Sequence, residues 1–108
     1  MTPVTREKKY VGLHPHVFEQ AINRKLFESV QEARDIIVNA VKHSGVFVPQ
    51  PEENKLLCLF KHKDKYVTMP VFETENAFMC ITMWESNEWE KGKYNLEKLK
   101  LINREEEM

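Results

Sequence analysis

Three apolar, β-rich runs follow one another in the second half of the chain, and the connections between them are very short. The runs cover residues 55–62, 66–72 and 77–85, and three and then four polar residues separate them. Antiparallel strands can be joined by turns of this length, whereas parallel strands need a crossover of a dozen or more residues. The three runs are therefore predicted to be consecutive strands of an antiparallel β-meander.

Two shorter segments and one proline extend the predicted sheet. Residues 8–13 are predicted to form a short first strand, and residues 46–48, which stop at a proline, a short or edge strand. Pro70 lies inside the middle run and has no N–H to donate to a neighbouring strand. It predicts either that this strand has its unpaired side facing outward or that there is a bulge. The run 78–84 is apolar at both alternations and predicts a central strand covered on both faces.

Two helices are predicted ahead of the meander. Pro15 suits the first turn of a helix, and the apolar residues after it recur at helical spacing, which predicts a helix over residues 15–26. A capping box formed by Ser29 and Glu32 begins the second helix, predicted over residues 29–44.

The last part of the chain is helical and polar in pattern. Gly92 weakens the pattern at its middle, so the prediction is a short helix or turn near residues 86–94 and a helical piece near 95–104. The fold class is therefore α+β, with a short N-terminal strand, two helices, an antiparallel β-meander of three to four strands and a polar C-terminal helix.

Length and composition favour one domain. The chain has 108 residues, of which 42% are hydrophobic and 31% charged, so we expect a single domain over 1–108 with flexible ends at 1–7 and 105–108. No signal peptide and no membrane span of about 20 apolar residues is predicted, which favours a cytoplasmic protein. In a reducing compartment, Cys58 and Cys80 are predicted to be buried thiols and not a disulfide.

Two histidines mark the predicted start of the first helix. Histidine exchanges protons near neutral pH, so His14 and His16 are candidates for catalytic proton transfer. The alternative is a pair of exposed polar residues that help to start the helix. A third ligand at metal-site spacing is missing, so no metal site and no cofactor is predicted.

Cations on the two predicted helices are candidates for RNA binding. Arginine binds phosphate oxygens in pairs through its planar guanidinium group. The alternative is that these cations form the solvated faces of amphipathic helices. The formal net charge is −1, so only a local patch could hold nucleic acid. The candidates are Arg24, Lys25, Arg34 and Lys42.

Aromatic residues cluster in the second half of the sequence. They could stack on bases, line a pocket for a small ligand, or belong to the core, which is where aromatic residues in strands are found most often. The residues concerned are Tyr66, Phe72, Trp84, Trp89 and Tyr94.

The predicted order of elements resembles the small RelE-type toxin fold, and two motifs are similar to its BrnT-like branch. Members of that branch close their last strand with a pattern of the type Ile-Ser-Ala-Arg, followed by Ala, Glu and Tyr at fixed steps. Here Ile81-Thr82-Met83-Trp84 is followed by Ser86, Glu90 and Tyr94 at those steps. The segment Ser29-Val30-Gln31-Glu32-Ala33 is similar to the family's Val-Ser-Phe-Glu-Glu-Ala helix start.

The resemblance implies a metal-independent endoribonuclease that uses the RNA 2′-hydroxyl as its nucleophile, with an antitoxin as protein partner. It implies that His14 or His16 transfers protons, that Arg24 holds the phosphate, and that Thr82 and Glu90 lie near the site. Trp84 stands where the family has an arginine, and a neutral indole cannot neutralise a phosphate, so an inactive relative is the other reading.

Two further functions remain open. A non-enzymatic interaction protein, either a degenerate toxin relative or a phage or defence protein, would show a broad apolar patch or a long exposed strand edge. A small-ligand binding domain would show a deep aromatic cavity. A positive patch beside His16 would favour the ribonuclease.

Overall fold

The computed structural model describes residues 5–107, which form one sheet with helices on both faces. In chain order the elements are β1 (Tyr10–Leu13), α1 (Pro15–Asn23), α2 (Val30–Asn39), β2 (Val46–Pro49), β3 (Lys55–His62), β4 (Lys65–Glu73), β5 (Ala77–Cys80), β6 (Trp84–Glu85) and α3 (Glu88–Glu107). A 3-10 turn, Arg6–Lys8, precedes β1, and a π-helical turn, Ala40–Ser44, follows α2. The predicted α+β class, with two helices ahead of the meander and a helix after it, is confirmed.

The order of strands in the sheet is β1-β5-β4-β3-β2, and β6 continues the line of β5 along β4. Strands β2, β3, β4 and β5 pair antiparallel in sequence, as the short connections predict. Strand β1 pairs in parallel with β5, from Tyr10 opposite Ala77 to Leu13 opposite Cys80. The two parallel strands therefore have their carboxyl ends at the same end of the sheet.

The run over residues 77–85 is not one strand, which corrects the prediction. Strand β5 ends at Cys80 and β6 begins at Trp84, opposite Val71 and Thr68 of β4 respectively. Three residues between the two strands thus face two residues of β4. This one-residue excess is a β-bulge.

Pro70 explains why the bulge lies where it does. The N–H of Glu73 donates to the carbonyl of Asn54 at 2.7 Å, on the β3 side of β4. Because N–H groups alternate in direction along a strand, position 70 points its nitrogen to the other side, where β5 gives way to β6. A proline is tolerated there because it withholds no bond from β3, and the bulge alternative is confirmed.

Strand β5 is central, but it is not covered on both faces as predicted. Phe78 and Cys80 are buried, whereas Met79 and Ile81 are 40% and 43% exposed. Helices α1 and α2 bury one face of the sheet. On the other face α3 packs on β2, β3 and Tyr66 of β4, and Met79 of β5 stays exposed.

Each face of the sheet has its own apolar cluster. The larger cluster joins α1 and α2 to the sheet and includes Val17, Ala21, Ala33, Ile37, Cys58, Phe60, Val67, Met69, Val71, Phe78 and Cys80. The smaller cluster consists of Val46, Val48, Leu57 and Leu59 with Tyr94 of α3. Side chains of successive β3 residues alternate between the two clusters, which is why the middle of β3 is apolar throughout.

The helices begin where the sequence predicts and end differently. Helix α1 stops at Asn23, three residues early, and α2 stops at Asn39, after which the chain makes a π-helical turn closed by the Gly45 N–H on the Ala40 carbonyl at 2.7 Å. Helix α3 runs unbroken through Gly92, so the two predicted pieces are one helix.

Both cysteines are buried free thiols, as predicted. Burial raises the pKa of Cys58 and of Cys80 to about 12. Among the described residues, no helix has the length and apolar character needed to cross a membrane. Of the ends predicted to be flexible, residues 1–4 and 108 lie outside the described part. Within it, Arg6 donates to the carbonyls of Val41, Ala40 and Gly45.

Candidate functional site

A row of three polar side chains runs along α1, and we call His16, Gln20 and Arg24 the α1 row. The residues are spaced by four, so they lie on one face of the helix. Arg24 Nε donates to Gln20 Oε1 at 2.5 Å, and Gln20 Nε2 lies 3.4 Å from His16 Nε2. The structure therefore joins two of the predicted site residues, His16 and Arg24, through a third that sequence reasoning missed.

The contacts of Gln20 define how His16 carries its proton. Since the Gln20 oxygen accepts from Arg24, the Gln20 amide N–H₂ is the group that points to His16, and Nε2 of the imidazole accepts. Neutral His16 then carries its proton on Nδ1, which lies 3.6 Å from Glu19 Oε2. The His16 side chain is 44% exposed, so Nε2 is an accessible base held by one replaceable amide.

His14 has a different position from His16. Its Nδ1 accepts the His16 backbone N–H at 3.0 Å, and its own N–H donates to the Cys80 carbonyl at 2.9 Å. His14 is thus the N-cap of α1 and fixes the start of the helix at the carboxyl end of β5. These contacts match the helix-starting role that was the alternative for this residue.

The other predicted RNA-binding cations lie apart from the α1 row. Lys25 follows α1 with a φ of 57° and lines a small cavity at the end of that helix. Arg34 on α2 places its guanidinium 5.5 Å from the centre of the Phe18 ring. Lys42 lies in the π-helical turn, and both Arg34 and Lys42 line an open groove on the outer side of α2. The four cations therefore divide between two surfaces.

Thr82 and Glu90 are not brought into the α1 row. Thr82 lies half-buried in the bulge. Glu90 is 4% exposed and forms a capping box at the start of α3, in which its carboxylate accepts the Asn87 N–H at 2.8 Å and its own N–H donates to Asn87 Oδ1 at 2.8 Å. The Trp84 Nε1 donates to the same carboxylate at 3.2 Å. Glu90 therefore anchors α3 and Trp84.

Some of the aromatic residues pack between α3 and the sheet, and others are exposed. Tyr66 and Tyr94 meet edge to face, with ring centres 5.7 Å apart, and hold α3 against the sheet. Trp89 is 62% exposed on the outer side of α3, and Phe72 is 37% exposed on the open part of the sheet. Apart from the small cavity at the end of α1, the main cavities of residues 5–107 are open grooves with mixed linings and not deep aromatic cavities.

Sequence reasoning also missed a histidine–carboxylate pair. His62 Nε2 lies 2.7 Å from Glu32 Oε1, and their side chains are 13% and 24% exposed. The Phe27 ring stacks on the imidazole with centres 4.9 Å apart. Thirty positions separate His62 from Glu32, so the pair cannot be predicted from short-range spacing. The sequence signal in this region is the series of charged residues around the β3–β4 turn.

The part of the chain that the structure describes has no cluster of three or more histidine, cysteine or carboxylate side chains placed to hold a metal ion. What the α1 row offers chemically is an imidazole and a guanidinium on either side of one amide group, and these can exchange a proton and bind an anion. Comparisons of the chain with protein-family models, with curated proteins and with solved structures found no match.

Proposed function

We propose that this protein is a toxin-type ribonuclease that cleaves RNA at the α1 row without a metal. The observation that carries the proposal is that His16 and Arg24 both hydrogen-bond the Gln20 side chain. A proton acceptor and a phosphate-binding cation are thereby separated by one amide group and two hydrogen bonds. A phosphodiester that displaces the amide can bridge this gap.

The row supplies what transesterification of RNA needs. The ribose 2′-oxygen attacks the adjacent phosphorus while its proton passes to Nε2 of His16. Arg24 donates to the non-bridging phosphate oxygens, where negative charge accumulates. The bond from phosphorus to the 5′-oxygen breaks, and that oxygen takes a proton from solvent. The products are a 2′,3′-cyclic phosphate and a 5′-hydroxyl, and His16 then returns its proton to solvent.

The indole of Trp84 stands where the family resemblance implies an arginine. Its N–H is bound to the Glu90 carboxylate, so this position supplies no positive charge. Trp84 and Glu90 pack with α3, on the face of the sheet opposite to α1 and α2, so an arginine at position 84 would not reach a phosphate bound at the α1 row. We therefore expect Trp84→Arg to cleave RNA at the rate of the wild type.

Purified protein incubated with a labelled RNA and a chelator tests the proposal. His16→Gln keeps a hydrogen-bonding side chain but cannot exchange protons, so we expect cleavage to fall by about 10²–10⁴-fold. Arg24→Gln removes the phosphate contact and should also abolish most cleavage. Lys91→Gln removes one cation from α3, far from the row in the fold, and serves as the matched control.

Two results would overturn the ribonuclease proposal. One is intact RNA with the folded wild type. The other is cleavage that His16→Gln and Arg24→Gln retain at the rate of the Lys91→Gln control. Expression in a bacterial host, with growth followed and total RNA examined on a gel, extends the same comparison to cells.

A second candidate function, protein contact without catalysis, is favoured by the outer side of α3. Trp89, Leu96 and Leu99 are 62%, 47% and 55% exposed and form one stripe opposite Tyr94, which packs on the sheet. Gly92 leaves a gap in this stripe two turns before Leu99, so a second copy of the chain, running antiparallel, can seat Leu99 in the gap. A dimer that Leu96→Lys dissociates in sedimentation would support this function.

A further inference from the structure

Strand β1 lies at one end of the sheet and pairs on one side only. Its neighbour is β5, and among residues 5–107 no further strand pairs with it. The N–H groups of Tyr10 and His14 donate to backbone carbonyls on the β5 side, each at 2.9 Å. Because backbone N–H and C=O groups alternate in direction along a strand, those of Val11 and Leu13 point away from β5. The outer edge of β1 therefore presents two donors and two acceptors to a further strand.

The opposite end of the sheet is protected in ways that β1 is not. Strand β2 ends at Pro49 and packs against α3, where Lys98 Nζ donates to the Ser44 carbonyl at 2.8 Å. Natural sheets protect free edges with prolines, charged side chains or a covering helix, because an unpaired edge recruits other strands. Strand β1 has the uncharged sequence Tyr-Val-Gly-Leu and pairs regularly with β5. Of the two edges, β1 is therefore the one open to pairing.

Apolar side chains lie beside the β1 edge on both faces of the sheet. Tyr10 is 70% exposed, and Met79, which lies opposite Gly12 in the β1–β5 pair, is 40% exposed. The end of the Met79 side chain lies over Gly12, since a Cβ at Gly12 would be 2.6 Å from Met79 Cε. On the other face, Val11 and Leu13 are only partly buried against the larger cluster. A strand added at this edge would cover apolar surface and pair the free backbone groups together.

The pattern of this edge fits a second copy of the same strand. In an antiparallel pair, Val11 of one copy exchanges two hydrogen bonds with Leu13 of the other, and the symmetric contact gives four bonds in all. The two-fold axis then passes between two copies of Gly12, at a non-hydrogen-bonded pair whose Cα atoms are about 4.5 Å apart. Glycine has no side chain to collide there, and a glycine inside a strand often marks the close approach of another backbone. Because β1 is uncharged, no like charges of the two strands face each other.

We propose that two copies of the chain pair through the outer edges of β1, antiparallel about a two-fold axis at Gly12. The two sheets become one continuous sheet. Tyr10 lies two residues before Gly12 on the same face, so the two Tyr10 rings flank the axis on the open face. This interface depends neither on the ribonuclease reaction nor on the apolar stripe of α3.

Amide hydrogen exchange of the wild type, followed by NMR at a series of protein concentrations, tests the pairing. The N–H groups of Val11 and Leu13 are open to water in the monomer and bonded in the dimer. Those of Tyr10 and His14 are bonded in both states and serve as internal references. We expect Val11 and Leu13 to exchange about fourfold more slowly at about ten times the dissociation constant than at about one tenth of it, because the monomer fraction falls. Sedimentation over the same concentrations should show the change from monomer to dimer.

The variant Tyr10→Lys tests the interface through a side chain. Tyr10 is largely exposed, so the change should leave the fold intact, while lysine on an edge strand opposes pairing and two ammonium groups would flank the axis. We expect the dissociation constant to rise by about tenfold or more. Leu96→Lys is the matched control, because it introduces the same charge at an exposed apolar position of α3. It should leave the dimer and the slow exchange of Val11 and Leu13 unchanged.

Three results would overturn this pairing. One is a monomer with fast exchange at Val11 and Leu13 at every concentration. Another is slow exchange of these amides in a chain that sediments as a monomer, which would show that the same chain covers the edge. The third is a dimer that Leu96→Lys dissociates and Tyr10→Lys does not, which would place the interface on α3. The exchange of the wild type decides between pairing and an open edge even if Tyr10→Lys does not fold.

Discussion

The histidines of this chain differ in what their ring nitrogens contact, and this difference decides what each can do. His14 accepts a backbone N–H through Nδ1, so its ring is used in starting α1. His16 accepts the Gln20 amide through Nε2, a contact that a substrate can replace. His62 donates through Nε2 to the Glu32 carboxylate. These three histidines therefore contact a backbone N–H, a side-chain amide and a carboxylate.

The pair of Glu32 and His62 predicts how stability depends on pH. The hydrogen bond from His62 lowers the pKa of Glu32 below the ordinary carboxyl value of 4.5. A carboxyl group whose pKa is lower in the folded state stabilises the fold above its unfolded pKa, and this contribution disappears as the pH falls through the folded pKa. We expect the free energy of unfolding to decrease between about pH 5 and pH 3, and to decrease less in Glu32→Gln.

Urea denaturation of wild type and Glu32→Gln at several pH values measures this effect. Glu97, whose pKa Lys100 lowers, contributes to the acid loss in both proteins and cancels in the comparison. Glu53→Gln, at an exposed position in the β2–β3 connection, is the control and should behave like the wild type. Equal acid loss in Glu32→Gln and in the wild type would show that the contact with His62 does not persist in solution.

At the scale of elements, the sequence predicts those features that depend on residues close to one another along the chain. Ser29 accepts the Glu32 N–H at 3.1 Å, so the start of α2 follows from a local pair. The bulge follows from Pro70, once the alternation of N–H groups along β4 is known. The parallel pairing of β1 with β5 has no signal in the local sequence, because it is a contact between segments far apart along the chain.

The same distinction between local and long-range contacts applies to the candidate site. His16 and Arg24 share a helix face by their spacing, so their proximity was within reach of the sequence, and Gln20 could have been added by the same spacing. Glu90 was given a place near the site by family resemblance, while in the structure it caps α3. His62 and its carboxylate meet only through tertiary folding, and no periodicity could have joined them.

Alanine substitution of two glycines tests how closely neighbouring elements pack. A Cβ at Gly45 would lie 2.6 Å from the Ala40 carbonyl oxygen and 2.6 Å from Cys58 Sγ, so the π-helical turn and β3 would have to move. A Cβ at Gly12 would lie 2.6 Å from the Met79 side-chain end, which is flexible and exposed. We expect Gly45→Ala to lose about 1–3 kcal/mol of unfolding free energy and Gly12→Ala less than about 1 kcal/mol.

Chemical denaturation of the two alanine variants beside the wild type measures the contrast. Gly12→Ala is the matched control, since it makes the same covalent change where the nearest atoms belong to a flexible side chain. If Gly45→Ala were as stable as Gly12→Ala, the close approach of the turn to β3 would be looser than the distances indicate.

At the scale of the whole molecule, the sheet separates two surfaces with different character. The α1 row lies on the layer of α1 and α2 and runs along the whole of α1. The apolar stripe of α3 and the open part of the sheet around Met79 lie on the other layer. The polar row and the apolar stripe therefore lie on opposite sides of the sheet.

The labelling rates of the two cysteines show whether the sheet and its helices unfold together. Cys58 of β3 and Cys80 of β5 are both fully buried beneath α1 and α2, and burial raises the pKa of each thiol to about 12. Thiolates are the reactive form, so labelling at neutral pH requires exposure of the side chain. If the domain unfolds in one step with a free energy of about 5 kcal/mol or more, both thiols should react about 10³-fold or more slowly than in denatured protein.

Labelling with a disulfide reagent, followed by mass spectrometry of the two cysteine-containing peptides, measures both rates. The rates should agree with each other and should rise together with added urea, and the thermal midpoint should not change with a reducing agent, because no disulfide is present. Labelling of Cys80 ahead of Cys58 would instead show that β5 and the bulge open separately from the rest of the sheet. Since α1 starts from the Cys80 carbonyl, such an opening would also release the start of the helix that carries the α1 row.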